Sequence, residues 1–232
     1  MPHANIVVSG VDDKMKILAN ISRSQMFEEF LLIFIPMFVV IDPFGVMPIY
    51  LVLTGDMDAD NKRKTLRYSM LFATSLLIVF ALIGKVVLDY LSVTIEALMI
   101  TGGLLLLVIG IMMLYEGDIP RSRRRGVEEA ESAPSEPEDV AFVPLGTPMI
   151  AGPGAISVVI ILTGTADVPL VLVSLLAVMA ICAVLLSQAI IVHKRIGNAG
   201  ARALTRVMGL ITSAYAVQMV LDGVTGYIGT FG

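Results

Sequence analysis

The chain is poor in the residues that most soluble folds depend on. Its 232 residues include no tryptophan, one cysteine and two histidines, and only 16% are charged. A single cysteine, Cys182, excludes a disulfide framework and leaves the redox compartment unread. Two isolated histidines, His3 and His193, lack metal-ligand spacing. With 16 Lys and Arg against 20 Asp and Glu, no basic surface for nucleic acid exists. What fills the chain is hydrocarbon: 56% of residues are apolar. An ordinary soluble domain carries about 25% charged residues. Here the charges are instead displaced from runs of about twenty residues, the length that crosses ~30 Å of lipid. The expectation is a polytopic membrane protein.

Six spans can be drawn: Phe27–Leu53, Leu71–Leu91, Ala97–Tyr115, Ala141–Leu162, Val168–Val192 and Arg206–Tyr227. Apolar residues cover every face of these segments, with no period of two, so they are helices rather than barrel strands. Basic residues gather after spans one, three and five. These are Lys62, Arg63, Lys64 and Arg67; Arg121, Arg123, Arg124 and Arg125; and Lys194, Arg195, Arg202 and Arg206. The opposite side has only Lys14, Lys16 and Arg23, in the leading tail. By the positive-inside rule the three basic loops are cytoplasmic. Both chain ends then lie on the outer side of a plasma (inner) membrane. Residues 1–25 read as an outward-facing extension rather than a cleaved signal, because Asp12 and Asp13 interrupt scattered apolar residues. Residues 118–139, with the acidic, Pro-containing stretch GVEEAESAPSEPED, read as a flexible cytoplasmic linker.

The linker separates two halves that resemble each other: residues 26–117 as repeat one and 140–232 as repeat two. DPFGVMPIYLVLTG at 42–55 aligns with AGPGAISVVIILTG at 151–164, so that Gly45, Thr54 and Gly55 fall on Gly154, Thr163 and Gly164. At the far ends an offset of 106 places Gly103 on Gly209, Gly110 on Ala216 and Met113 on Met219. Spans two and five do not align. Three spans per half is an odd number, so the second half enters from the opposite side. The fold class predicted is an all-α membrane protein of six helices in two inverted three-helix repeats, a plan typical of secondary transporters.

The first helix of each repeat is predicted to break. Span one would be roughly 40 Å long as a straight helix. Proline clashes with the preceding turn and disfavours helical geometry in the residue before it. Asp42 followed by Pro43, Phe44 and Gly45 therefore ends one half-helix and caps another. Gly152-Pro153-Gly154 does the same in span four. Helices opened in mid-membrane expose amides and dipole ends to a solute, and glycine lets it approach. Asp42 is the one carboxylate deep in a span, a placement that costs ~2.5–3.5 kcal/mol on insertion scales. It is a helix cap first, with coupling to a proton or cation, or direct solute contact, as further roles. Thr54, Ser157 and Thr163 are candidate lining residues, whose ordinary role is to bond their own helix backbone. Gln218 lines the path or holds helices together, the second being its ordinary role. The paired glycines of spans three and six are smooth faces for helix packing.

Four segments resemble the MarC family of integral membrane proteins: IDPFGVMPIYLVLTG, MITGGLLLLVIGIMML, PLGTPMIAGPGAISVVIILTG and RVMGLITSAYAVQMVLDG. They spread over most of residues 36–223. In that family the first block is often Asn-Pro where this chain has Asp42-Pro43, so a charge at this point is not general. The family is similar in plan to LysE-type amino-acid exporters. The resemblance implies a topology and a transporter, and no chemistry.

The functional expectation is a secondary transporter, an exporter, of a small polar or amphipathic solute bound between the two broken helices. The alternatives are a channel or a non-transporting membrane scaffold. An enzyme is disfavoured, since no His/Glu, Ser-His or Cys-His set converges in the spans, and no phosphate loop supplies ATP drive. No cofactor is expected. The expected partners are membrane lipid and an unknown small-molecule solute, with a coupling ion and a homo-oligomer left open.

Overall fold

A computed structural model describes residues 25–116 and 141–229. The predicted extension (1–25) and linker (118–139) fall outside the described residues, apart from Gln25. Within them the chain is helical, with no strand. Five helices are long and apolar enough to cross a membrane by length and composition, the first counted as Gln25–Leu53.

That first stretch comprises α1 (residues 25–41) and α2 (Pro43–Leu53), which meet at Asp42. α3 (Ala59–Tyr90) begins twelve residues before the predicted second span. Asp58 caps it by accepting from the Asn61 amide at 2.7 Å, so the helix starts in the polar zone. Lys62, Arg63, Lys64 and Arg67 thus lie on the first turns of a helix rather than in a loop. Hydrophobicity marks where a helix meets lipid; capping marks where it begins. α4 (Ile95–Glu116) follows a turn in which Ser92 has φ +56°.

The predicted fourth span is divided. α5 (Ala141–Ile150) is a wide π-type helix, closed by an i→i+5 bond from the Ala151 amide to the Gly146 carbonyl at 3.0 Å. α6 (Pro153–Thr165) follows it. α7 (Val168–Ser187) matches most of the predicted fifth span. α8 (Ala189–Gly229) contains one non-helical residue, Gly197 at φ +68° and ψ 175°. Lys194, Arg195, Arg202 and Arg206 are therefore helical too. Gly197 absorbs the bend between the two parts of α8, because its φ suits only a residue without a Cβ.

The broadest packing is between α4 and α8. Small residues make it: a Cβ built on Gly103 would lie 2.8 Å from the Ala216 carbonyl oxygen. One built on Gly110 would lie 2.9 Å from the Gly209 carbonyl oxygen. As the number rises along α4 the partner's number falls along α8, so the two helices run antiparallel. α3 packs on α5, α6 and α7, with Gly84 against Ile160. Beyond these contacts, Leu104, Val108, Val173, Val184 and Leu210 face outward as bare hydrocarbon, the surface that lipid solvates.

Candidate functional site

The site begins with one residue in an unusual conformation. Asp42 sits in the left-handed region, φ +46° and ψ 67°, which among non-glycine residues Asn and Asp tolerate best. Its amide still donates to the Phe38 carbonyl at 3.1 Å, and its own carbonyl accepts from the Val46 amide at 3.1 Å. The interruption is thus a single residue wide. Its carboxylate folds over the start of α2 and accepts from the Gly45 amide at 3.1 Å. Gly45 is required by that fold-over, because a Cβ there would strike the carboxylate oxygen Oδ2. Asp42 is 3% exposed.

The second interruption is built differently. Gly152 is extended, φ −76° and ψ 169°, and brings no side chain to cap α6. Pro153 at the first position has no N–H to satisfy. The amides of Gly154 and Ala155, in the first helical turn, have no partner within the helix. Gly154 also allows close packing, since a Cβ on it would collide with Leu106 of α4.

Asp42 and Gly152-Pro153-Gly154 line one cavity of about 300 Å³. Its remaining wall is mainly apolar, with Val40, Leu106, Met113 and Met149 among the lining residues. Ala155 and Thr212 also line it. The site is thus one carboxylate, one hydroxyl and the open start of a helix, set in hydrocarbon. This is the usual composition of a binding pocket, in which a few polar groups orient a mostly apolar ligand. Among the described residues no three His, Cys, Asp or Glu side chains are grouped as a metal site.

The other candidates lie elsewhere. Pro43 is buried at the first position of α2. Phe44 stands edge-on to Phe38 at 6.2 Å, ending a row of rings from Phe30 through Phe34. Thr54 donates to the Tyr50 carbonyl at 2.7 Å, and Thr163 to the Val159 carbonyl at 3.1 Å. Ser157 donates to the Pro153 carbonyl at 2.9 Å. All three hydroxyls are bound to their own helices. Gln218 is exposed and donates to the Asp222 carboxylate at 2.6 Å. Sequence reasoning missed Leu106, Met113 and Thr212, whereas Ala155 was expected on the cavity. The offset of 106 carried a signal for one pair, since it places Thr212 on Leu106, and both line the cavity.

Apolar helices packed through glycine around such a cavity define a helical integral membrane protein. Its family follows from comparison. The chain belongs to the MarC family: the model of the MarC family integral membrane proteins matches residues 27–228. It is 34% identical over 201 residues to the UPF0056 membrane protein MJ1677 of Methanocaldococcus jannaschii, covering 85% of this chain and 96% of that one. A second protein of that organism, MJ0972, is 31% identical over 83% of this chain and 85% of its own. YvbG of Bacillus subtilis, also a UPF0056 membrane protein, is 28% identical over 87% of this chain and 96% of its own. No solved structure matches.

Proposed function

We propose that this protein is a secondary transporter, working as an exporter, of a small polar or amphipathic solute. The solute binds in the cavity between Asp42 and Gly152-Pro153-Gly154. The observation that carries this reading is that two interruptions 110 residues apart in the chain meet at one cavity. A helix with every backbone group paired offers a solute nothing to bind. Interruptions at both sides of a cavity supply amides and a carboxylate where lipid cannot.

The contacts between α4 and α8 support the inverted repeat. Gly103 packs on Ala216, and Gly110 on Gly209. Under the offset of 106, Gly103 becomes Gly209 and Ala216 becomes Gly110, so each contact turns into the other. Contacts that exchange in this way mark a two-fold axis, as in an isologous dimer. The antiparallel course of the helices adds a second support. If residues 141–165 entered and left on the same face, α4 and α8 would run parallel. Their opposition supports a full crossing by α5 and α6 together, which would give six in all. On this reading the protein is a multi-pass protein of the plasma membrane with both termini outward. Its solute alternates between sides as one repeat rocks against the other, by ion coupling or facilitated diffusion.

Counterflow in proteoliposomes tests the function. Solute trapped inside should accelerate uptake of labelled solute in a carrier. A channel gives no such acceleration, and a scaffold gives no flux at all. Either result overturns the transporter reading.

A further inference from the structure

The cavity wall reaches the outer surface at the middle of a helix. Leu105 and Val108 of α4 line the cavity, yet they are 43% and 51% exposed. Leu105 lies ten residues from either end of the apolar stretch Ile95–Tyr115. At 1.5 Å per residue that is roughly 15 Å from each side, the centre of a ~30 Å hydrocarbon layer. The surrounding surface of α4, Leu104 and Ile111, is hydrocarbon and exposed. An opening in that position meets lipid chains rather than water.

Inside, one polar group stands out. Thr212 is 3% exposed, lines the cavity, and its hydroxyl makes no hydrogen bond within the protein. Its neighbours behave otherwise: Ser213 donates to the Gly209 carbonyl at 2.7 Å and Thr205 to the Ala201 carbonyl at 3.0 Å. Burying a hydroxyl without a bond is costly. The same cavity is lined by Gly154 and Ala155, at the uncapped start of the thirteen-residue α6. A helix start favours negative charge or a strong acceptor. The Asp42 carboxylate, on the same cavity, favours a cationic or donor group.

We propose that the cavity takes its ligand sideways from the hydrocarbon layer. The ligand is a single-chain amphiphile with a compact zwitterionic head. The acceptor end of that head bonds the α6 amides and the Thr212 hydroxyl, and its cationic end lies beside Asp42. The chain leaves past Leu105 and Val108. A volume of about 300 Å³ is at the small end of ligand sites and suits one chain rather than two. This proposal rests on reading the cavity as the solute site.

The absence of tryptophan supplies the assay. Val108→Trp places a lone indole at the opening, and Leu210→Trp places one on an outward position of α8 that is 59% exposed. Both full-length variants are put in nanodiscs and titrated with chain-brominated dodecylphosphocholine, which quenches indole on contact. The expected result is saturable quenching at position 108, reversed by unlabelled dodecylphosphocholine, and a linear, unsaturable response at position 210. Phosphocholine without a chain should not compete. Adding Thr212→Val should weaken binding roughly threefold to tenfold, the loss of one hydrogen bond, and Thr212→Ser should restore it. Linear quenching at both positions overturns the proposal. So does competition by free phosphocholine, or dodecylphosphocholine binding equally well with and without the Thr212 hydroxyl. The two readings fail separately. Saturable binding without counterflow removes the transporter and leaves the lateral site, whereas counterflow without saturable binding does the reverse.

Discussion

Gly110 and Gly209 face each other across the α4–α8 crossing so closely that a Cβ built on either would lie 2.9 Å from the other's carbonyl oxygen. Contacts below 3.0 Å are essentially never tolerated by a real Cβ, and a backbone carbonyl cannot swing away as a side chain can. Lipid gives no hydrophobic reward for helix association, so this close packing supplies much of what holds the two helices together.

Gly110→Ala and Gly209→Ala should each therefore destabilise the protein by about 1–3 kcal/mol, the usual penalty for overpacking. Because both changes push the same two backbones apart, the double variant should fall short of the sum. Gly229→Ala, with nothing within 4 Å of its built Cβ, should change stability by less than about 0.5 kcal/mol. Gly197→Ala separates sterics from backbone strain: it too has open space, but φ +68° with ψ 175° should cost about 1–3 kcal/mol. Thermal unfolding of the detergent-solubilised protein, read as Tm, ranks the four.

Asp42 should show a graded series. Asp42→Asn keeps an oxygen for the Gly45 amide and a side chain that tolerates left-handed backbone, so its stability should stay within about 1 kcal/mol of the natural chain. Asp42→Gly relieves the backbone but removes the bond, and Asp42→Ala loses on both counts. The alanine variant should be the worst, at about 1–3 kcal/mol. Tm measurements check the order. Solute transport that fails in Asp42→Asn while Tm holds would assign the charge a role beyond capping.

The cavity can be probed with thiols, since the natural chain offers almost no background. Cys182 is its one cysteine and is fully buried. In the folded protein it should not react with small thiol reagents on the time scale of minutes. Ala155→Cys, on the cavity wall, should react with uncharged methyl methanethiosulfonate, and much more slowly with a charged analogue if entry is through hydrocarbon. Intact mass reports the adduct, and equal inertness of both cysteines would remove the cavity.

How much could be read from the chain differs by kind of signal. The helix starts at Pro43 and Pro153 were legible because a proline preceded by a capping residue or glycine suits a first helical position. The early start of α3 at Ala59 was not legible from hydrophobicity, because helices continue past the lipid boundary once Asp58 caps them. The wide turns of α5 were not legible either, since no local composition rule distinguishes them from an ordinary helix. Thr212 was hidden for a different reason. Its sequence context, between Ile211 and Ser213 in an apolar helix, matches that of threonines that bond their own backbone. Only packing reveals that it does not.

Topology gives the last test, and the most economical one. If residues 141–165 make a full crossing, the number of crossings is six, and a reporter fused after Gly232 must lie on the same side as residue 1. A reporter inserted in 118–139 must lie on the opposite side, with the twelve basic residues. An alkaline phosphatase fusion at Gly232 should be active and a fluorescent protein fusion there dark, with the reverse for insertions in 118–139. An inward terminus at Gly232 would leave five crossings or a re-entrant segment. The antiparallel contact of Gly103 with Ala216 and Gly110 with Gly209 would then need a hairpin within one half, and the exchange of the two contacts would lose its two-fold origin.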